Sequence, residues 1–299
     1  MTHPDPALTA LYARAAHLLE GAEALIITAG AGMGVDSGLP DFRGDEGFWR
    51  AYPPLRGFAF AEMANPRWFT SDPHRAWGFY GHRLNLYRAT EPHEGFHILR
   101  RWARGLGGSS SGNSSDNYFV FTSNVDGQFQ KAGFSPDRCV ECHGSIHHAQ
   151  PLNGNGGIYS AEPLRVDVDE ATLRARDPLP SHPEVRGLPR PNILMFGDGG
   201  WDSARTDAQE RRLGEWLGAQ AGRRVLVVEM GAGTAIPSVR SFGERLVEGR
   251  SGVIASLIRI NPRESHAPSH LPPGRVVSIP MGALEGLRGI EAARGGLGG

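Results

Sequence analysis

Ala24-Leu25-Ile26-Ile27-Thr28 runs through Ala29 into Gly30-Ala31-Gly32-Met33-Gly34, and this stretch decides the fold. A short apolar run followed by glycines reads as a buried strand ending in a loop. Glycines after a first strand let backbone N–H groups approach a pyrophosphate, whose charge a helix N-terminus then meets. The spacing departs from the G-x-G-x-x-G dinucleotide fingerprint, because position 35 is valine. Upstream, residues 8–20 place Leu8, Leu11, Tyr12, Ala15, Leu18 and Leu19 on one helical face, and Gly21 ends that helix. Downstream, strand-like runs occur at Tyr118–Thr122, Ile193–Phe196, Arg224–Met230, Val253–Ile260 and Val276–Ile279. Helical patterns at 93–104, 207–219, 237–247 and 282–290 lie between several of them. The alternation predicts an α/β fold, Rossmann-like and doubly wound, with a mainly parallel sheet covered on both faces.

Two segments break the alternation. Residues 107–117 (GGSSSGNSSDN) read as a flexible surface loop. Residues 145–191 are rich in turn formers and proline, with one short acidic helix expected over Val168–Arg174. They predict a small inserted subdomain.

The chain has 299 residues, 39% hydrophobic and 21% charged, with a formal net charge of −1. These values suit a globular chain with a large core, and they offer no basic surface for nucleic acid. Positive charge is almost all arginine; Lys131 is the only lysine. Cys139 and Cys142 are the only cysteines, which excludes a disulfide framework and fits a reducing compartment. No apolar run approaches the roughly 20 residues that span a bilayer, and residues 1–11 lack the order of a signal peptide. A soluble, cytoplasmic protein with no nucleic-acid or membrane partner is expected; composition does not fix its oligomeric state.

Several segments can carry chemistry. Ser37-Gly38-Leu39-Pro40-Asp41-Phe42-Arg43-Gly44 is too polar and too broken for core. Its arginine suits a phosphate or ribose, and its phenylalanine can cover a flat ring. The run at 118–122 ends in Ser123-Asn124-Val125-Asp126, at the strand end where parallel sheets bind ligands. An amide and a carboxylate so spaced suit a ribose hydroxyl and a carboxamide, or equally an Asx-turn that caps the next helix. Val140-Glu141-Cys142-His143-Gly144 follows, and an imidazole with pKa of about 6.5 can accept a hydroxyl proton at neutral pH. His147 and His148 read as surface or supporting residues. Cys139-x-x-Cys142 is at best half of a four-ligand zinc site, and two small buried hydrophobes explain it more simply. His182 and Glu184 form a weaker candidate pair.

Residues 30–44 (GAGMGVDSGLPDFRG) resemble the sirtuin, or SIR2-type, motif: a Gly-Ala-Gly-x-Ser loop followed by Ser/Ala-Gly-Ile-Pro-x-Phe-Arg-Gly. Ser123-Asn124-Val125-Asp126 is similar to the family's Thr-Gln-Asn-Ile-Asp turn, and His143-Gly144 to its His-Gly pair. Pro191–Asp198 resembles its Pro-x-Val-Val-x-Phe-Gly-Glu segment. Gly231-Ala232-Gly233 with Thr234 resembles its Gly-Thr-Ser, and Ile260-Asn261 its Ile-Asn pair. The motifs keep the family's order from about residue 20 to 290. Gly34 stands where serine is usual, Ser123 where glutamine is usual, and Asp198 where glutamate is usual.

The resemblance implies one sirtuin-type catalytic domain over 1–299, with an NAD-binding core at 20–144 and 190–290 and a small insert at about 145–190. It implies that Gly30, Ala31, Gly32, Asp41, Phe42 and Arg43 wrap the pyrophosphate and the nicotinamide-side ribose of NAD. Ser123, Asn124 and Asp126 would hold the ribose and carboxamide, and Gly231, Ala232, Gly233 and Asn261 the adenosine side. His143 and Asn124 would be catalytic, His143 by deprotonating a ribose hydroxyl. Phe196, Gly197 and Asp198 would receive the acylated lysine of a protein or peptide by strand addition. The implied reaction is NAD-dependent lysine deacylation, giving nicotinamide, free lysine and O-acyl-ADP-ribose. An NAD hydrolase or ADP-ribosyltransferase is the alternative, suggested by Gly34, Ser123 and the missing cysteines. The family's zinc ribbon uses two cysteine pairs after His-Gly, and no cysteine follows Cys142. No zinc is therefore expected, and the insert should fold by packing alone.

Overall fold

The computed structural model describes residues 5–41, 44–106 and 117–297. Helix α1 (Pro6–Glu20) starts at Asp5, whose carboxylate accepts from the Ala7 N–H, and precedes strand β1 (Ala24–Ala29). Five helices follow: α2 (Gly44–Ala51), α3 (Phe60–Met63), α4 (Trp68–Ser71), α5 (Pro73–Ala89) and α6 (Glu94–Gly105). Then come β2 (Tyr118–Thr122), α7 (Gln128–Lys131) and β3 (Cys139–Glu141). Next are β4 (Gly144–Pro151), β5 (Tyr159–Ser160), β6 (Val168–Asp169), β7 (Arg174–Ala175) and β8 (Pro189–Ile193). The chain finishes with α8 (Ala204–Ala219), β9 (Arg224–Met230), α9 (Ser238–Val247), β10 (Ile254–Ile260), β11 (Val276–Ile279) and α10 (Ala283–Leu297).

Six strands form one parallel sheet in the order β11-β10-β9-β1-β2-β3. Alternate residues of each strand serve opposite faces. Leu25, Ile27, Val120, Leu226, Val228 and Ile258 pack toward α1, α6 and α10. Ala24, Ile26, Phe119, Val225, Val227 and Leu257 pack toward α8 and α9. Because both faces are covered, β1 is buried at every position, which is why its sequence is apolar throughout. The expected doubly wound architecture is the one observed. Among the described residues, no helix is long and apolar enough to cross a membrane.

A second lobe stands beside the sheet and is built from two chain segments. Phe48, Trp77, Phe79, Tyr80 and Leu84 share one core with Ile146, Ala149, Leu164, Val166 and Ile193. The segment expected as a separate insert therefore packs on residues that lie between β1 and β2.

Two expectations need correction, and one helix was missed. The strand placed at Ile193–Phe196 is β8, Pro189–Ile193, and it pairs antiparallel with β4 outside the main sheet. The helix expected over Val168–Arg174 is an antiparallel pair, β6 with β7, joined by a turn in which Asp169 Oδ1 accepts the Ala171 and Thr172 N–H groups. Asx turns of this kind compete with helix formation. Helix α5 was not foreseen, because it is buried on most sides and so shows no apolar stripe. The loop expected at 107–117 lies outside the described residues, except for Asn117.

Candidate active site

Strand order reverses between β1 and β9, so their carboxyl ends open a crevice. The two loops that leave them are interlocked. Gly30 N–H donates to the Met230 carbonyl, and Gly32 N–H to the Gly231 carbonyl, each at 3.0 Å. A β-carbon on Gly30 would lie 2.8 Å from Ala232 Cα, and one on Gly231 (φ +60°) would overlap Gly32. Only glycine lets the two backbones close this tightly. Gly30, Ala31, Gly231, Ala232 and Gly233 line a cavity of about 590 Å³, a size suited to a small-molecule site. The loop after β1 is pinned by His93, whose Nε2 bonds the Met33 carbonyl at 2.8 Å while its backbone N–H donates to Ser37 Oγ at 2.9 Å.

The end of β2 supplies the next wall. Thr122 Oγ1 donates to the Ala29 carbonyl and accepts from the Asn124 N–H, and Asn124 Nδ2 donates to the Gly30 carbonyl at 3.0 Å. Ser123, Asn124 and Asp126 all line the cavity. Asp126 is only 8% exposed. Burial raises its carboxyl pKa to about 6, helped by Glu141 and opposed by the Gln128 N–H and by Arg83. The Gln128 N–H bond is the Asx-turn geometry, so the turn and a cavity position coexist in one residue.

His143 enters from the end of β3 and also lines the cavity. Its Nε2 lies 3.5 Å from Ser238 Oγ at the start of α9, and its carbonyl accepts from the Leu194 N–H. Burial holds the imidazole pKa below its ordinary 6.5, with the Ser123 carbonyl opposing. The ring is therefore neutral at pH 7, the form a general base requires.

Leu194, Phe196 and Gly197 form the opposite rim, with Leu194 and Phe196 each 40% exposed. Phe196 N–H donates to the Ala64 carbonyl, and the Phe196 ring meets Phe60 edge to face. Asp198 borders the cavity, but its carboxylate is committed elsewhere. It forms a buried ion pair with Arg190 and accepts from the Met195 and Gly200 N–H groups. Its work is to shape the Leu194–Gly197 loop.

Two further expectations change. Asn261 is 1% exposed and does not line the cavity. Its amide donates to the Ala232 carbonyl and accepts from the Arg263 and Glu264 N–H groups, so it buttresses the glycine loop. Gly32 lies behind the wall, against Gly231. Asp41 lines the cavity; Phe42 and Arg43 fall outside the described residues. Sequence reasoning missed Tyr80, Arg83 and Tyr87 of α5, which close the inner end of the cavity. Arg83 is 6% exposed, donates to Tyr87 Oη at 3.0 Å and stacks on the Tyr80 ring. Their spacing of three and four residues marks one helical face, a signal available once α5 is recognised.

Residues 30–213 match the Sir2 family. An NAD-dependent protein deacylase of Thermus thermophilus is 29% identical over 90% of this chain and 89% of its own length. The mitochondrial NAD-dependent protein deacylase sirtuin-5 of Danio rerio is 30% identical over 71% of this chain and 68% of its own. Among solved structures, a Sir2 homologue–NAD complex superposes with a TM-score of 0.64 at 21% identity, covering 99% of this chain and 96% of that one. That last likeness concerns the fold.

Proposed function

The chain belongs to the Sir2 family, and from that premise we propose that it is an NAD-dependent protein lysine deacylase whose base is His143. One observation carries the reading: a glycine cradle, the Asn124–Asp126 turn and the His143 imidazole line a single cavity whose outer rim is Leu194–Gly197. The cradle fits a dinucleotide, because Gly30, Ala31, Gly231, Ala232 and Gly233 line the cavity at the carboxyl ends of β1 and β9 with little side chain in the way.

NAD, when bound, supplies a sugar carbon carrying a cationic nicotinamide as leaving group. Gly30 and Gly231 hold the two loops together, so Ala31, Ala232 and Gly233 would present backbone to the pyrophosphate side, and Asp126 would accept from the carboxamide. Asn124 would hold the ribose, and neutral His143 would take a proton from a ribose hydroxyl. The Leu194–Gly197 rim would receive the acylated lysine.

We also read the second lobe as needing no zinc. Gln150 bridges its layers, donating to the Gly200 carbonyl at 2.7 Å and accepting from Asn192 and from the Asp202 N–H. His182 uses both ring nitrogens on Ser160 and Glu184 backbone. Among the described residues, no three His, Cys, Asp or Glu side chains converge as a metal group. Cys139 and Cys142 are both unpaired, in keeping with the cytoplasmic location proposed here.

Nicotinamide release, measured with and without acyl-lysine peptides of several chain lengths, tests the reading. Release that depends on peptide supports a deacylase. Release at the same rate without peptide makes the chain an NAD hydrolase instead.

A further inference from the structure

Strand β4 slips register against β8 between Ser145 and Ala149, and His147 lies within the slip. Such irregularities re-aim a side chain. Its backbone is fixed by Ser145 Oγ, which accepts its N–H, and by the Ala161 N–H, which donates to its carbonyl. The His147 ring runs under the turn after β2, and Nε2 lies 2.8 Å from the Asp126 carbonyl. A carbonyl only accepts, so Nε2 carries the proton. The same ring fills the side of Gly127 (φ +72°) on which a β-carbon would stand, 2.6 Å from His147 Cδ2. Glycine is thus required there twice, for its backbone angle and for the ring.

On its other side His147 borders a separate open cavity lined by Asn85, Arg88, Ser160, Glu162 and Arg165. The imidazole thus stands between that open cleft and the backbone of the Asp126–Gly127 turn. We propose that His147 is a positioning residue for the nicotinamide end of the site, holding the Asp126–Gly127 turn through the Asp126 carbonyl and through the ring seated against Gly127. The inference rests on the deacylase reading for what Asp126 contacts, and on the geometry alone for what holds Asp126. Burial, Arg88 and Lys131 all favour the neutral ring, against Glu141 and the Asp126 carbonyl.

Three variants of the full chain separate donor from packing: His147→Phe keeps a ring without the donor, His147→Gln keeps a donor at similar reach, and His147→Ala removes both. NAD and nicotinamide affinities are read by calorimetry, alongside KM, kcat and Tm, with Asp126→Ala as reference. His147→Phe should weaken nicotinamide binding about tenfold, which is about 1.4 kcal/mol, with a smaller change in kcat. His147→Gln should recover most of that loss, and His147→Ala should match or exceed it. Wild-type nicotinamide affinity in His147→Phe, with only Tm lowered, would overturn the proposal. A wild-type protein that binds NAD without consuming it would sink the deacylase reading, while the binding series would still decide the role of His147. If wild type bound neither NAD nor nicotinamide, both would fall.

Discussion

Asn124 Nδ2 donates to the Gly30 carbonyl at 3.0 Å, joining the turn after β2 to the first glycine after β1. One side chain thus fixes the loop that cradles the dinucleotide and faces the cavity itself. Asn124→Ala should lower kcat/KM for NAD by about 10²–10³, the range seen when a preorganised polar group at the reacting centre is lost. Tm should fall by only a few degrees, since one hydrogen bond contributes about 1 kcal/mol. Activity within threefold of wild type would remove Asn124 from the site.

Gly30→Ala tests the interlocked loops. The new β-carbon would meet backbone atoms of Gly231 and Ala232 at 2.8 Å, and neither can rotate away. The loops must separate, at a cost of about 1–3 kcal/mol, and NAD affinity should drop at least about tenfold. Calorimetric titration of NAD together with a thermal melt reads both effects. Unchanged affinity would mean that this loop is not the cradle.

Much of this was legible from the chain alone. The apolar runs at 24–28, 118–122 and 224–230 announced buried parallel strands because both sheet faces are covered. Their glycine and Asx endings announced where ligands enter. The second lobe was less legible: α5 is buried on most sides yet scatters His74, Arg75, His82, Arg83, Asn85 and Arg88 among its apolar residues, and in β8 prolines 189 and 191 obscure a strand of the small antiparallel sheet. Tyr80, Arg83 and Tyr87 were lost with α5. Asn261 and Asp198 look like ligand-binding polar residues in sequence. Only coordinates reveal that the first is spent on the Ala232 loop and the second on Arg190.

The buried imidazole predicts a particular pH profile. Because the His143 pKa is held below 6.5, kcat should rise with pH through a value under 6.5 and stay flat from there toward pH 8. His143→Ala should abolish turnover at every pH while keeping NAD affinity within about threefold. An acidic limb centred above 7, or a fully active His143→Ala variant, would contradict the assignment.

Asp126 makes the opposite trade. Its folded carboxyl is raised from 3.8 to about 6, so the folded state holds that proton more tightly than the unfolded chain. The associated stability is fully present below pH 3.8 and is lost as pH rises through about 6. Above that window the buried charge costs up to about 3 kcal/mol. Asp126→Asn should therefore raise Tm at pH 7.5, change it little near pH 4, and weaken nicotinamide capture. A lower Tm at pH 7.5 would show that the charge is better compensated than its burial suggests.

Mass spectrometry of the nucleotide product, formed from NAD and an acyl-lysine peptide, reads the chemistry of the pocket most directly. The predicted product is ADP-ribose carrying the acyl group, formed with one nicotinamide and one free lysine and missing with His143→Ala. Unmodified ADP-ribose as the sole product, formed equally fast without peptide, would contradict it.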